Sequence, residues 1–414
     1  MTQVDLNLAE SLFAQLDRAT RRGRGIVRDS YGDGEQAAHD IMRAAAERIG
    51  LGIAIDAIGN LTMTLAGRDR HAPRILIGSH LDSVPQGGNF DGAAGVVAGI
   101  CALSALHESG FVPDYDIGVM GIRAEESSWF DVSYLGSEGA FGLLDPACLA
   151  VRRSDNGRTL AETLTARGFD PTAIAERRRL LEPGQIRAYL ELHIEQGPRL
   201  MAEGLPAGVV TGIRGCKRFR NARCLGEYGH SGALPRSLRH DAVAATVAFL
   251  HRMEQVWDRV EQQGADLLVT HGELYTDKAE HAPSKVAGAT RFVIDLRSLS
   301  MEVMNSVADE ARRAAEEIGE AYRVRFDLGA ATDSPAAMMD PRLRSCLMGL
   351  LERPLEMPSG AGHDAAVFAQ LGIPAAMIFV RNDHGSHNPQ ESMALEDFGV
   401  GTQALIDLLR QFPL

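Results

Sequence analysis

From Arg74 the chain reads RILIGSHLDS, an apolar run that predicts a buried strand and gives way to the polar loop GGNFDG. The stretch that follows, GAAGVVAGICALSALHESG, is helical in composition and stops at Gly110. In DYDIGVMGIRAEE, Ile117, Val119 and Ile122 suit a second buried strand. Strand, loop, helix and strand in this order predict a βαβ-type unit, with parallel strands and polar loops at their carboxyl ends. The rhythm changes between about Gly212 and Leu328. There we expect a strand over Lys217 to Leu225, then a helix from near Leu238 with Val243, Val247, Leu250, Met253 and Trp257 on one face. Strands over Asp266 to Thr270 and Thr290 to Leu296 follow. A helix over Met301 to Ile318, with Val303, Val307 and Ala311 on one stripe, leads to a strand near Arg323 to Phe326. That β-α-β-β-α-β order predicts a split βαβ sandwich inserted into the first domain. AAMIFV, Ala375 to Val380, returns to a buried strand and ends in a His-rich loop. The expected fold class is α/β: a mixed-sheet domain made of residues 1–211 and 329–414, with an inserted α+β sandwich at 212–328.

A length of 414 residues accommodates two such domains. Composition changes the picture mainly through charge. With 42 Lys and Arg against 55 Asp and Glu the net charge is −13, which disfavours nucleic acid and anionic membrane as partners. The densest basic run, Arg177 to Arg179, reads as a solvated helix face. No run of about 18 apolar residues occurs, so no membrane span is expected. Met1 to Asp17 shows helical spacing rather than a signal peptide. Cys101, Cys148, Cys216, Cys224 and Cys346 are odd in number and scattered, the pattern of reduced thiols. A cytoplasmic protein with a small-molecule substrate is the expectation.

His80, Asp91, Glu126, His193 and His387 each fall at or near the end of a strand-like run. Imidazoles and carboxylates so placed are the donors that zinc and similar divalent cations take, and a carboxylate can bridge two of them. Asp82, two residues after His80, is positioned to accept the other ring N–H. Glu125 and Glu126 are adjacent, so on an extended segment they point to opposite faces. One can bind metal while the other faces water or substrate. Taken singly, each residue is also compatible with a loop polar or a satisfied core histidine. Other hydrolytic machinery is poorly matched: GHSGA at Gly229 lacks the last glycine of a nucleophile elbow, and HESGF at His107 fails the zincin HExxH pattern.

GSHLDSVPQGGNFDGAAGV (Gly78 to Val96), AEESSWF (Ala124 to Phe130), ELHIEQGP (Glu191 to Pro198), SGAGHDA (Ser359 to Ala365) and GSHNPQE (Gly385 to Glu391) resemble the M20 metallopeptidase superfamily. More narrowly they resemble its amidase branch of N-carbamoyl-L-amino-acid hydrolases, β-ureidopropionases and allantoate amidohydrolases. The resemblance runs from about Gly25 to near the C-terminus. It implies two divalent cations per subunit, among Zn, Mn, Co or Ni. His80, Asp91 and His193 would hold one, and Glu126 and His387 the other, with Asp91 bridging and Glu125 as general base acting on metal-activated water. The insert would be a lid and dimerisation domain, making the protein a homodimer. GHSGALPRSLRHD (Gly229 to Asp241) is similar to the lid motif whose histidine, here His230, stabilises the oxyanion. IDLRS (Ile294 to Ser298) resembles the strand whose arginine, here Arg297, grips a substrate carboxylate. Gln196, His281, Gly360 and His363 complete the implied substrate shell.

Several positions depart from the family pattern. Ala233, Leu234, Pro235 and Arg236 replace Thr-Thr-Pro-Met, His281 replaces an asparagine, Ser284 to Ala287 replace Asn-Val-Ile-Pro, and Trp129 stands where arginine is common. The ligand set is intact while the substrate shell is altered. The expected reaction is hydrolysis of a linear amide or carbamoyl C–N bond of a small carboxylate, such as an N-carbamoyl-L-amino acid or allantoate. An N-acyl-amino-acid deacylase, a dipeptidase, or a binding protein that kept the fold without the chemistry are the alternatives.

Overall fold

The computed structural model describes residues 2–412. The chain divides into two compact units, Met1–Thr211 with Met338–Leu414, and Gly212–Ala337.

The first unit is organised by a nine-stranded mixed sheet. Its central strands, Ala375–Val380, Ile186–Ile194, Arg74–His80 and Ile117–Ile122, lie in that order and are mutually parallel. Antiparallel neighbours extend it on both sides: Ala207–Ile213 beside Ala375–Val380, and Leu61–Leu65 then Gly52–Ile55 beyond Ile117–Ile122. The parallel strands are nearly continuous apolar runs because helices cover both of their faces. Helix Ala93–Glu108 is buried from Ala93 to Leu106, and its small residues let it lie directly on the sheet. A Cβ at Gly95 would come within 2.4 Å of the Leu192 carbonyl oxygen, so the close approach requires glycine there. Helices Leu6–Thr20, Asp33–Ile49 and Leu395–Arg410 complete this core.

The second unit is a six-stranded antiparallel sheet with helices Ala242–Gln262 and Met301–Tyr322 packed on it. Along Ala289–Ser298, Thr290, Phe292, Ile294, Leu296 and Ser298 are buried in strict alternation, the signature of a sheet with one covered face. Phe219, Phe249, Phe292 and Phe326 meet in the core between sheet and helices.

Three expectations need correction. The insert extends to Ala337 rather than to residue 328, because Thr332–Ser334 adds a further strand against Gly215–Leu225. In helix Ala242–Gln262 the buried face is Ala242, Ala245, Thr246, Phe249, Met253, Val256 and Val260. Val243 and Val247 are 37% and 57% exposed, so the stripe traced through them is not the core face. Arg177 to Arg179 are exposed but follow the one-turn helix Thr172–Ala175 rather than riding on a helix. Among the described residues no helix is long and apolar enough to cross a membrane.

Candidate active site

Four parallel strands deliver the site residues at their carboxyl ends, where an open α/β sheet leaves a crevice. His80 ends the strand Arg74–His80, and His193 is the penultimate residue of Ile186–Ile194. Glu125 and Glu126 follow Ile117–Ile122, and His387 lies in the loop after Ala375–Val380. Asp91 sits at the end of the glycine-rich loop, just before helix Ala93–Glu108.

Asp91 is the meeting point. Its Oδ1 lies 3.5 Å from His80 Nε2 and 3.3 Å from His193 Nε2, and its Oδ2 lies 3.3 Å from His387 Nε2. His387 Nε2 is also 3.3 Å from Glu126 Oε1. Two groups of donors therefore share Asp91: His80, Asp91 and His193, and Asp91, Glu126 and His387, with the ligand atoms of each within 4.8 Å of one another. Asp91 Oδ1 is buried and completes no hydrogen bond with any described residue. A buried carboxylate oxygen left unpaired is costly, and an ion would relieve it. Both imidazoles have their other nitrogen against a main-chain carbonyl, His80 Nδ1 at 3.1 Å from Asp82 O and His193 Nδ1 at 2.9 Å from Ile194 O. If Nδ1 donates there, Nε2 is left as the acceptor nitrogen, the tautomer a metal takes, and at His193 it accepts the Gly92 N–H at 3.2 Å. Burial acts to raise the Asp91 carboxyl, but the surrounding imidazoles outweigh it and hold the group well below the ordinary range, as an anion. These clusters are candidate metal-binding sites, and their mixed imidazole and carboxylate donors suit zinc or manganese.

Asp82 ties the histidine to the glutamates. Its carboxylate lies 3.4 Å from His80 Nδ1, accepts the backbone N–H groups of Glu125 (3.0 Å) and Glu126 (3.2 Å), and takes a hydrogen bond from Ser30 Oγ at 2.7 Å. Burial raises the Glu125 carboxyl well above the usual carboxylate range; His80 pulls it back, and Glu126, Asp364 and Asp82 push it up again. Such a group takes a proton readily, as proton transfer near neutral pH requires.

Close packing explains the glycine before the central helix. Gly92 has φ +66°, and a Cβ there would come within 2.5 Å of the His80 ring. Left-handed backbone also occurs at three non-glycine residues of the site, Ala124 (φ +51°), Gln196 (φ +63°) and His387 (φ +60°). Strain of this kind persists only where surrounding structure over-determines it.

The implied substrate residues are placed unevenly. Gln196 donates from Nε2 to Asp91 Oδ2 at 2.9 Å. His363 is 1% exposed, with its ring against His193 and Nε2 2.9 Å from Ser359 Oγ, so it backs a candidate ligand instead of facing open space. Gly360 is exposed on the loop after strand Glu356–Ser359. The other three belong to the second unit. His230 is exposed and accepts from Gly232 N at 3.2 Å, His281 Nε2 lies 2.6 Å from Thr276 Oγ1, and Arg297 Nη2 is 3.2 Å from Asp295 Oδ2.

The structure adds residues that motif reading missed. Ser386 Oγ is 2.6 Å from both Asp91 Oδ2 and Glu391 Oε2, and Glu391 Oε1 accepts the Phe90 and Asp91 N–H groups. Both lie inside the GSHNPQE segment, which was signal enough to find them. Arg28, wholly buried, holds the loop that carries Asp91 through the carbonyls of Leu81, Asn89 and Asp91. An isolated arginine far upstream gave no such signal.

Comparison with known proteins identifies the family. A model of the peptidase family M20/M25/M40 matches residues 76–411. An N-carbamoyl-L-amino acid amidohydrolase of Geobacillus stearothermophilus is 35% identical over 390 residues, covering 92% of each chain. The allantoate amidohydrolase of Escherichia coli is 32% identical over 369 residues, covering 87% of each. Among solved structures, a hydantoinase/carbamoylase family amidase from Burkholderia ambifaria superposes with a TM-score of 0.88 at 29% identity, covering 99% of this chain and 96% of that one. The chain belongs to the peptidase M20/M25/M40 family and, within it, to the hydantoinase/carbamoylase branch of amidases, hydrolases of carbon–nitrogen bonds other than peptide bonds.

Proposed function

We propose that the protein is a metal-dependent amidohydrolase that cleaves the carbamoyl C–N bond of an N-carbamoyl-L-amino acid or of the related ureido acid allantoate. The observation that carries this reading is the orphaned Asp91 Oδ1 between two imidazoles, on a carboxylate whose other oxygen faces a second ligand pair. His80, Asp91 and His193 would hold one divalent cation, and Asp91, Glu126 and His387 a second. Such cations supply an acidified water and polarise the scissile carbonyl. Glu125 takes the proton of the attacking water as the C–O bond forms, then gives it to the leaving nitrogen as the C–N bond breaks. Gln196 and Ser386 orient the Asp91 carboxylate from the side of its Oδ2.

The second unit is assigned the recognition role by motif. Arg297 would pair with the substrate carboxylate as a two-pronged donor, and His230 would stabilise the oxyanion. The second unit also exposes the large apolar side chains of Val243, Val247, Leu274 and Tyr275, which supports the homodimer its motif implies. Five free cysteines, three of them buried, fit a reducing compartment and so the cytoplasm.

The test is a screen of metal-supplemented enzyme over N-carbamoyl amino acids, allantoate, N-acyl amino acids and dipeptides, reading ammonia and free amine. Turnover of a carbamoyl or ureido acid above the others is expected. Preference for N-acyl amino acids or dipeptides would replace the substrate class, and absence of turnover on all four would overturn the reading.

A further inference from the structure

Three consecutive backbone amides, those of Ala124, Glu125 and Glu126, are captured by two buried carboxylates. Asp82 takes the second and third. The first belongs to Glu35, on helix Asp33–Ile49, whose Oε1 accepts the Ala124 N–H at 2.8 Å. Glu35 Oε2 accepts from Tyr31 N at 2.7 Å and from Arg123 Nη1 at 2.9 Å. The carboxylate has no exposure, and Arg123 is only 2% exposed. Arg123 is itself fixed by Gly59 O, Gln36 Oε1 and, through its backbone N–H, Asn60 Oδ1.

The Ala124 conformation gives this arrangement its meaning. At φ +51° it occupies the left-handed region that residues with a Cβ avoid, and that turn sends its own N–H toward Glu35 while the next two go to Asp82. The carbonyls of Ala124 and Glu125 are held by the Leu135 and Tyr134 N–H groups, each at 3.0 Å, so losing the partner on the Ala124 amide releases the peptide plane on its N-terminal side, and the first side chain to move would be Glu125. A buried ion pair is a poor source of net stability, since apolar replacements of the same volume often do as well. A buried pair aimed at the amide preceding the proton-transferring residue therefore calls for a geometric explanation.

We propose that Glu35 is a positioning residue that holds Glu125 in its proton-transferring orientation by pinning the left-handed Ala124. The inference rests on the role assigned to Glu125 above, so Glu125→Gln is measured in parallel. Glu35→Gln keeps one acceptor oxygen, which the Arg123 guanidinium and the Tyr31 N–H together claim, and so turns an NH2 toward the Ala124 N–H; purified and loaded with metal, it should lose ~10- to 100-fold in kcat on the best carbamoyl substrate, the scale of a small misplacement of a reacting group. Its KM should stay within about twofold and its metal content should match wild type, because the expected fault is in transition-state geometry and not in binding. Adding Ala124→Gly should restore much of the lost kcat, since glycine takes φ +51° without strain and needs no pin. Ala124→Gly alone is measured as the reference for that rescue. A role confined to stability would lower Tm without this split and without rescue.

Wild-type kcat in folded Glu35→Gln, or loss that Ala124→Gly leaves untouched, overturns the proposal. If Glu35→Gln does not fold, Glu35→Asp keeps the charge facing Arg123 but withdraws from Ala124, and the same loss and rescue are expected of it. Failure of both to fold, with or without Ala124→Gly, assigns Glu35 to the fold alone. Should Glu125→Gln itself turn over like wild type, the role of Glu125 falls first, and that outcome is distinct from an inactive Glu125→Gln beside a fully active Glu35→Gln.

Discussion

In the proposed reaction Asp91, Asp82 and Glu125 carry three separable tasks at residue scale: offering oxygen to two candidate metal sites, fixing neighbours, and moving a proton. Glu125→Gln should lower kcat by ~10²- to 10⁴-fold, the usual contribution of a general base, while metal content stays near that of wild type. Retained turnover would contradict the assignment. Asp82→Asn replaces one acceptor oxygen by a donor facing the Glu125 and Glu126 amides or the Ser30 hydroxyl. Metal affinity should fall on the order of 10- to 100-fold, measured by competition with a chromophoric chelator, as for other partners of ligating histidines. Unchanged affinity would remove Asp82 from the site. The ligand-type residues were legible because each sits in a motif at a strand end. Arg28 and Glu35 were not, since their partners lie far along the chain and only the fold brings them together.

Legibility at the scale of elements followed burial. Strands Arg74–His80, Ile117–Ile122 and Ala375–Val380 are apolar on both faces and announce themselves. Leu61–Leu65 and Gly52–Ile55 are short, partly solvated and antiparallel, and no comparable run marks them. Helix Ala242–Gln262 was found but turned the wrong way, because its core face begins with the small Ala242, Ala245 and Thr246 before Phe249, Met253, Val256 and Val260, while Val243 and Val247 face outward. Small side chains suit a close helix–sheet approach, and a hydrophobicity pattern underweights them. Helix Asp33–Ile49 carries a different prediction. His39 is 3% exposed, and neither ring nitrogen has a hydrogen-bond partner among the described residues. Burial, reinforced by Arg123, holds its pKa well below 6.5, so the folded chain keeps it neutral while the unfolded chain takes up a proton. The stability it contributes is present above about pH 6.5 and is lost as pH falls, by at most about 1.4 kcal/mol per pH unit. Urea unfolding of metal-free protein at several pH values should show a shallower acid-side slope for His39→Leu than for wild type. Parallel slopes would show that His39 is not the group responsible.

At the scale of the whole molecule, the α/β unit that carries the candidate metal sites is interrupted by a unit of different architecture, and the change of rhythm in the sequence locates that interruption. The return point was misjudged by nine residues because Thr332–Ser334 is a three-residue, fully exposed strand with no hydrophobic signal. Arg297 tests whether the second unit reads the substrate. Arg297→Ala should raise KM far more for carbamoyl substrates with a free carboxylate than for their neutral amides, because the lost pair acts mainly on binding. Equal losses on both would take the carboxylate role away from it. The central claim, that hydrolysis runs on cations sharing Asp91, is tested most directly by titrating metal-free protein with zinc or manganese while counting bound ions and following ammonia release from an N-carbamoyl-L-amino acid. We expect no release without metal, a plateau at about two ions per chain, and neither full binding nor release in Asp91→Ala. Release that persists without metal, or an Asp91→Ala titration that matches wild type, would contradict it.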